Sequence, residues 1–99
     1  MEKKLTPQQA LREYYLHRQK ELRILRRELD AMRNSWWIGR DLRTRQLITH
    51  TTFLRDLTRF IIAHQDLSQP TPAELATLEH DLHIFESIHT EAIERLLKD

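Results

Sequence analysis

Apolar residues recur along this chain at steps of three and four, in three runs separated by two breaks. The first run is Leu11, Tyr15, Arg18, Leu22, Leu25, Leu29, Met32 and Trp36, stepping 4, 3, 4, 3, 4, 3, 4. That is heptad spacing, which keeps one stripe of a helix turned toward a partner helix. Tyr14 widens the stripe, Arg18 interrupts it at the centre, and Leu16 and Ile24 fall off it. Ahead of the run, Thr6-Pro7-Gln8-Gln9 reads as a helix start: a hydroxyl cap, proline where the missing N–H costs nothing, and a glutamine placed to close a capping box.

The second run is sparser. Leu42, Phe53, Leu54, Leu57, Phe60 and Ile61 form its apolar face, with Leu67 beyond the helix proper, and Ile48 and Ile62 project elsewhere as candidate contact residues. Between residues 43 and 52 threonine is frequent, and β-branched threonine forms helix only moderately well. If any segment frays or rearranges, this is the one expected to. The third run, Leu75, Leu78, Leu82, Phe85, His89, Ala92 and Leu96, steps 3, 4, 3, 4, 3, 4, broadened by Ile88 and Ile93.

Each break has its own chemistry. Asn34-Ser35-Trp36-Trp37-Ile38-Gly39-Arg40 contains the only glycine, the residue suited to a left-handed backbone past a helix end. It reads as an elbow, with Ser35 or Asp41 as N-cap of the next helix. Pro70 and Pro72 end the second helix, since proline pushes the residue before it out of the α region. Thr71-Pro72-Ala73-Glu74 then repeats the start signal of the first helix. The spacing predicts one all-α domain over residues 1–99: a three-helix antiparallel (up-down-up) bundle with coiled-coil-like seams, helices at about 7–36, 40–66 and 72–98. The rival is a continuous first-and-second helix pairing with another chain, because one glycine costs a helix only ~1 kcal/mol.

Composition narrows the classes. With 31% charged residues and a mean hydropathy of −0.65, yet regular leucine and isoleucine, the chain reads as solvated helix rather than disorder or membrane span. No cysteine means no disulfide and no thiolate metal site, and a cytoplasmic location is the expectation. The net charge of +1 conceals an asymmetry. Residues 1–45 carry twelve Lys/Arg against six Asp/Glu, net +6; residues 46–99 carry four against nine, net −5. The plain explanation is a basic first helix lying beside an acidic last one.

Candidate chemistry is thin. Glu79, His80, His83 and Glu86 share an outer face, but no HExxH accompanies them and one helix seldom closes a coordination shell. No metal or other cofactor is expected. A glycine-rich phosphate loop or nucleophile elbow is nearly impossible with one glycine, so no catalytic residues are assigned and the expectation is a non-enzymatic protein. Arg18 and His89 sit at seam centres, where a buried unpaired cation is too costly to keep. They read first as packing or register devices.

Protein binding asks least of this chain. Successive helical residues lie 100° apart, so Trp36 and Trp37 cannot both enter one seam, and tryptophan and arginine are favoured interface anchors. The expected contact patch is Trp36, Trp37, Arg33, Arg40 and Arg43 at the elbow, with the Arg12, Arg23, Arg26 and Arg27 flank meeting an acidic partner surface. An adaptor, chaperone, assembly subunit or protein inhibitor of bacterial or phage style fits, and a homodimer is left open. The alternative is an accessory nucleic-acid-binding protein using the same arginines on phosphates, against which stands a pI of only about 8.2.

Overall fold

The computed structural model of the chain describes residues 5–34 and 40–98, with the backbone alone at residue 40. Among them are four α-helices and no strand: α1 (Pro7–Asn34), α2 (Arg40–Ala63), α3 (Gln65–Ser68) and α4 (Pro72–Leu97). The all-helical expectation holds. The elbow, with Ser35, Trp36 and Trp37, lies outside the described residues, and so does the choice between a turn and a continuous helix there. Asp41 stands within the first turn of α2 rather than ahead of it.

Both start signals close as capping boxes. The Gln9 amide donates to Thr6 Oγ1 at 3.2 Å while the Thr6 amide donates to Gln9 Oε1 at 3.0 Å. At α4 the Glu74 amide donates to Thr71 Oγ1 at 3.1 Å and the Thr71 amide to Glu74 Oε1 at 2.8 Å. Each pair satisfies donors that a helix start otherwise leaves open.

The second helix does not run unbroken to Asp66. It ends at Ala63, and a separate turn, α3, follows after His64 leaves helical geometry at φ −111, ψ 36. The local acceptors explain the break. The Phe60 carbonyl takes hydrogen bonds from both the amide (3.1 Å) and ring Nδ1 (2.9 Å) of His64, and the Ile61 carbonyl takes one from Ser68 Oγ at 3.1 Å. Gln69 then turns left-handed at φ 53, ψ 54, its amide donating to the Gln65 carbonyl at 2.9 Å. The residue before Pro70 does leave the right-handed α region, by way of its mirror image.

The core departs most from the pattern on α2. Its buried row is Thr44, Leu47, Thr51, Leu54, Thr58 and Ile61, stepping 3, 4, 3, 4, 3. Leu42 and Phe53, expected on the inner face, are each 62% exposed, and Leu67 is exposed as well. Residues 43–52 are helical throughout. Threonine serves inside because its hydroxyl finds a partner on its own helix: Thr51 donates to the Leu47 carbonyl at 2.8 Å and Thr58 to that of Leu54 at 2.6 Å. A hydroxyl satisfied locally leaves a small, methyl-bearing side chain for neighbours to pack on. Ile48 and Ile62, expected to project away, pack against the core as half-buried residues.

Around this row stand Leu25 and Met32 of α1 and Leu78, Phe85 and Ala92 of α4, all buried. Each large side chain fully removed from water stabilises the fold by roughly 1.5–3 kcal/mol. The backbone of α2 lies close to both α1 and α4, whereas α1 and α4 meet mainly through side chains. Among the described residues no helix is long and apolar enough to cross a membrane.

Candidate functional site

The gap between α1 and α4 is bridged by a buried polar cluster. Asp81 lies wholly out of solvent, and Arg18 reaches it with two parallel hydrogen bonds, Nε to Oδ2 at 2.7 Å and Nη2 to Oδ1 at 2.9 Å. The Tyr14 hydroxyl donates to the same Oδ2. Burial, with the Asp81 carboxylate beside it, pushes the Tyr14 hydroxyl well above the usual phenol range. Of the ways open to a seam arginine, the chain uses a carboxylate partner. Tyr15 ties the same pair of helices nearby, its hydroxyl donating to the Glu74 carbonyl at 3.1 Å.

Arg18 and Tyr14 also line a groove of about 470 Å³ beside α1. Its apolar wall is Leu22, Phe53, Leu54, Leu57 and Phe85, and Glu13, His17 and Lys20 stand along α1 at its edge. That volume is in the range of ligand-binding clefts.

A second polar clasp joins α1 to α2. His50 lies between two glutamates, its Nε2 at 2.7 Å from Glu21 and its Nδ1 bonded to Glu28. Burial works against the imidazolium, but the two carboxylates outweigh it and hold the His50 pKa above the ordinary histidine value. His89 is shifted the other way, by burial and then by the positive charge of Arg55. Its Nδ1 lies within hydrogen-bond distance of Thr51 Oγ1, at 3.0 Å. His89 is thus a seam histidine with a side-chain partner, Thr51.

The arginines chosen from the sequence divide into separate groups. Arg33 is engaged within the fold, with Nε and Nη2 at 2.8 and 2.7 Å from the two oxygens of Glu91. Arg12, Arg23, Arg26 and Arg27 are exposed on α1 and enter no ion pair among the described residues. Arg43 is exposed near the start of α2, Arg40 opens that helix, and Trp36 and Trp37 lie outside the described residues. The pairing of a basic helix with an acidic one is therefore selective. Arg18 and Arg33 meet α4, while the outer arginines do not.

Asp81 went unseen in the sequence. The available signal was Arg18 itself, which called for a carboxylate, together with the position of Asp81 three residues after Leu78 and four before Phe85. Among the described residues no group of three or more His, Asp or Glu side chains is arranged to hold a metal ion, and Glu86 pairs with Arg59 at 3.1 Å. No protein-family model, curated protein or solved structure matches the chain.

Proposed function

We propose that the protein is a non-enzymatic binding module that docks on an acidic partner protein through the outer face of α1 and the adjoining elbow. One observation carries this reading: Leu16 stands 74% exposed among Arg12, Arg23 and Arg27. At 100° per residue these four positions fall within about 60° of one another around α1. An apolar anchor on a helix face that also carries arginines suits a protein surface with a small pocket and acidic rim. Leu16 itself offers nothing to a phosphate backbone, though the arginines do. Trp36, Trp37, Arg40 and Arg43 extend the proposed patch along the chain.

The scaffold in this reading is an up-down-up arrangement of α1, α2 and α4. Its support is that Tyr15 and Glu74, early in α1 and α4, meet, as do Arg33 and Glu91, late in both. The nucleic-acid alternative uses Arg12, Arg23, Arg26 and Arg27, which are exposed and outside any ion pair among the described residues.

The test compares variants in quantitative capture from an extract of the source cells, alongside sedimentation with a mixed-sequence oligonucleotide. Leu16→Ser, Trp36→Ala and Trp37→Ala are expected to weaken partner capture more than Arg27→Ala does. A complex with the oligonucleotide whose log affinity falls linearly with log salt, and which tolerates Leu16→Ser, replaces this reading with the nucleic-acid one.

A further inference from the structure

A separate face, on α2, is independent of that proposal. Leu42, Gln46, Thr49, Phe53, Asp56 and Phe60 step 4, 3, 4, 3, 4 along the helix, roughly opposite its buried threonine–leucine row. Phe60 is half-buried and the other five are exposed. A second heptad stripe on the outside of a helix already packed on its inside has the form of a helix–helix seam. Leu42 and Phe53 are each left 62% exposed in the described fold.

The order of residues in the stripe says what covers it. It is symmetric about position 51, so a second copy running antiparallel brings Leu42 opposite Phe60 and Thr49 opposite Phe53, each pair formed twice. The same register sets Asp56 opposite Gln46 and its neighbour Arg45. Arg45 is exposed and in no ion pair among the described residues, and Asp56 has only the adjacent Arg55, at 3.3 Å. Charge complementarity thus appears on both sides of the two-fold axis. A parallel pairing sets Asp56 against Asp56 and Arg45 against Arg45, which repels.

We propose that the outer face of α2 is a self-association surface, on which two copies of the chain pair antiparallel through Leu42, Thr49, Phe53 and Phe60, with Arg45 and Asp56 fixing register. Phe53 and Asp56 are exposed, so their replacement leaves each folded copy intact while it acts on assembly.

Sedimentation equilibrium of the full chain over a micromolar concentration series tests this. The wild type is expected to show a reversible monomer–dimer equilibrium. Phe53→Ser and Asp56→Arg should each weaken it by about tenfold or more, while the exchange Arg45→Asp with Asp56→Arg should recover most of the loss. The chain has no cysteine, so Gln46→Cys is a clean probe of direction. Antiparallel pairing keeps the two introduced thiols roughly 15 Å apart along the axis and they do not cross-link. A monomer at all concentrations, a dimer indifferent to Phe53→Ser and Asp56→Arg, or efficient cross-linking of Gln46→Cys overturns the proposal. Circular dichroism of each variant confirms that the helices persist.

Discussion

Arg18 on α1 and Asp81 on α4 form a bidentate ion pair in which the carboxylate side is fully buried and the guanidinium is 27% exposed. The two partners are therefore unequal. Without Arg18, Asp81 keeps only the Tyr14 hydroxyl among the donors described, and breaking a buried pair from that side costs roughly 3–5 kcal/mol. Without Asp81, Arg18 can turn its head to solvent. Arg18→Met is thus expected to destabilise more than Asp81→Leu. The double variant should cost less than the sum of the two, because an apolar pair of similar volume leaves no stranded charge. Urea denaturation of the four proteins in a double-mutant cycle checks this, and additive costs would count against the pairing.

His50, in the clasp between α1 and α2, and His89, in the α4 seam, give opposite pH dependences. His50 has a raised folded-state pKa, so its contribution is complete below the ordinary histidine value of about 6.5 and is lost as pH rises through the folded value. His89 has a lowered one, so its contribution is present above about 6.5 and is lost as pH falls through its folded value. Stability measured by urea midpoint should therefore decline on the alkaline side through His50 and on the acid side through His89. His50→Gln is expected to flatten the first slope and His89→Gln to flatten part of the second. Glu91, whose pKa the Arg33 hydrogen bonds lower, adds a further acid loss below its ordinary value. An unchanged alkaline slope in His50→Gln would show that Glu21 and Glu28 do not act through this ring.

Local signals were readable from the sequence and long-range offsets were not. Thr6 and Thr71 cap their helices as the motifs around them say, because a capping box depends on residues only three apart. The inner face of α2 was misread because apolar residues alone were counted. Thr44, Thr51 and Thr58 fill every second place in the buried row, and at Thr51 and Thr58 a hydroxyl bond to the same helix makes that acceptable. Leu42 and Phe53, eleven residues and three turns apart, mark a real stripe that faces away from the core. Arg18 announced that a carboxylate was needed. Which one depends on how far α1 is shifted along α4, and no local pattern fixes that.

Gln69 supplies a backbone test. Its φ of 53 places a side chain in the left-handed region, at a cost of roughly 1–2 kcal/mol for a residue with a Cβ. Gln69→Gly should remove that cost and raise stability by about 0.5–1 kcal/mol after the greater chain entropy of glycine. Gln69→Val should lower it, since a branched Cβ tolerates this conformation least. Thermal unfolding of the three proteins at one pH orders them, and a glycine variant no more stable than the wild type would place the turn's strain elsewhere.

Leu42 and Leu47 separate the pattern from the packing most directly. Apolar periodicity puts Leu42 on the inner face, whereas the fold buries Leu47 completely and leaves Leu42 62% exposed. Leu47→Ala opens a cavity beside the α2 threonines and should cost about 2–5 kcal/mol, since neighbours in a packed core relax only partly around lost methyl groups. In a domain of this size each kcal/mol lowers the melting temperature by roughly 4–8 °C. Leu42→Ala should change the stability of the isolated chain by no more than about 0.5 kcal/mol. Both measurements belong at a concentration low enough for the monomer, because Leu42 also lies in the outer α2 stripe. Raising the concentration should then leave the Leu47→Ala deficit unchanged and enlarge that of Leu42→Ala. Equal costs for the two substitutions in the monomer would mean that α2 is rotated about its axis from the position described.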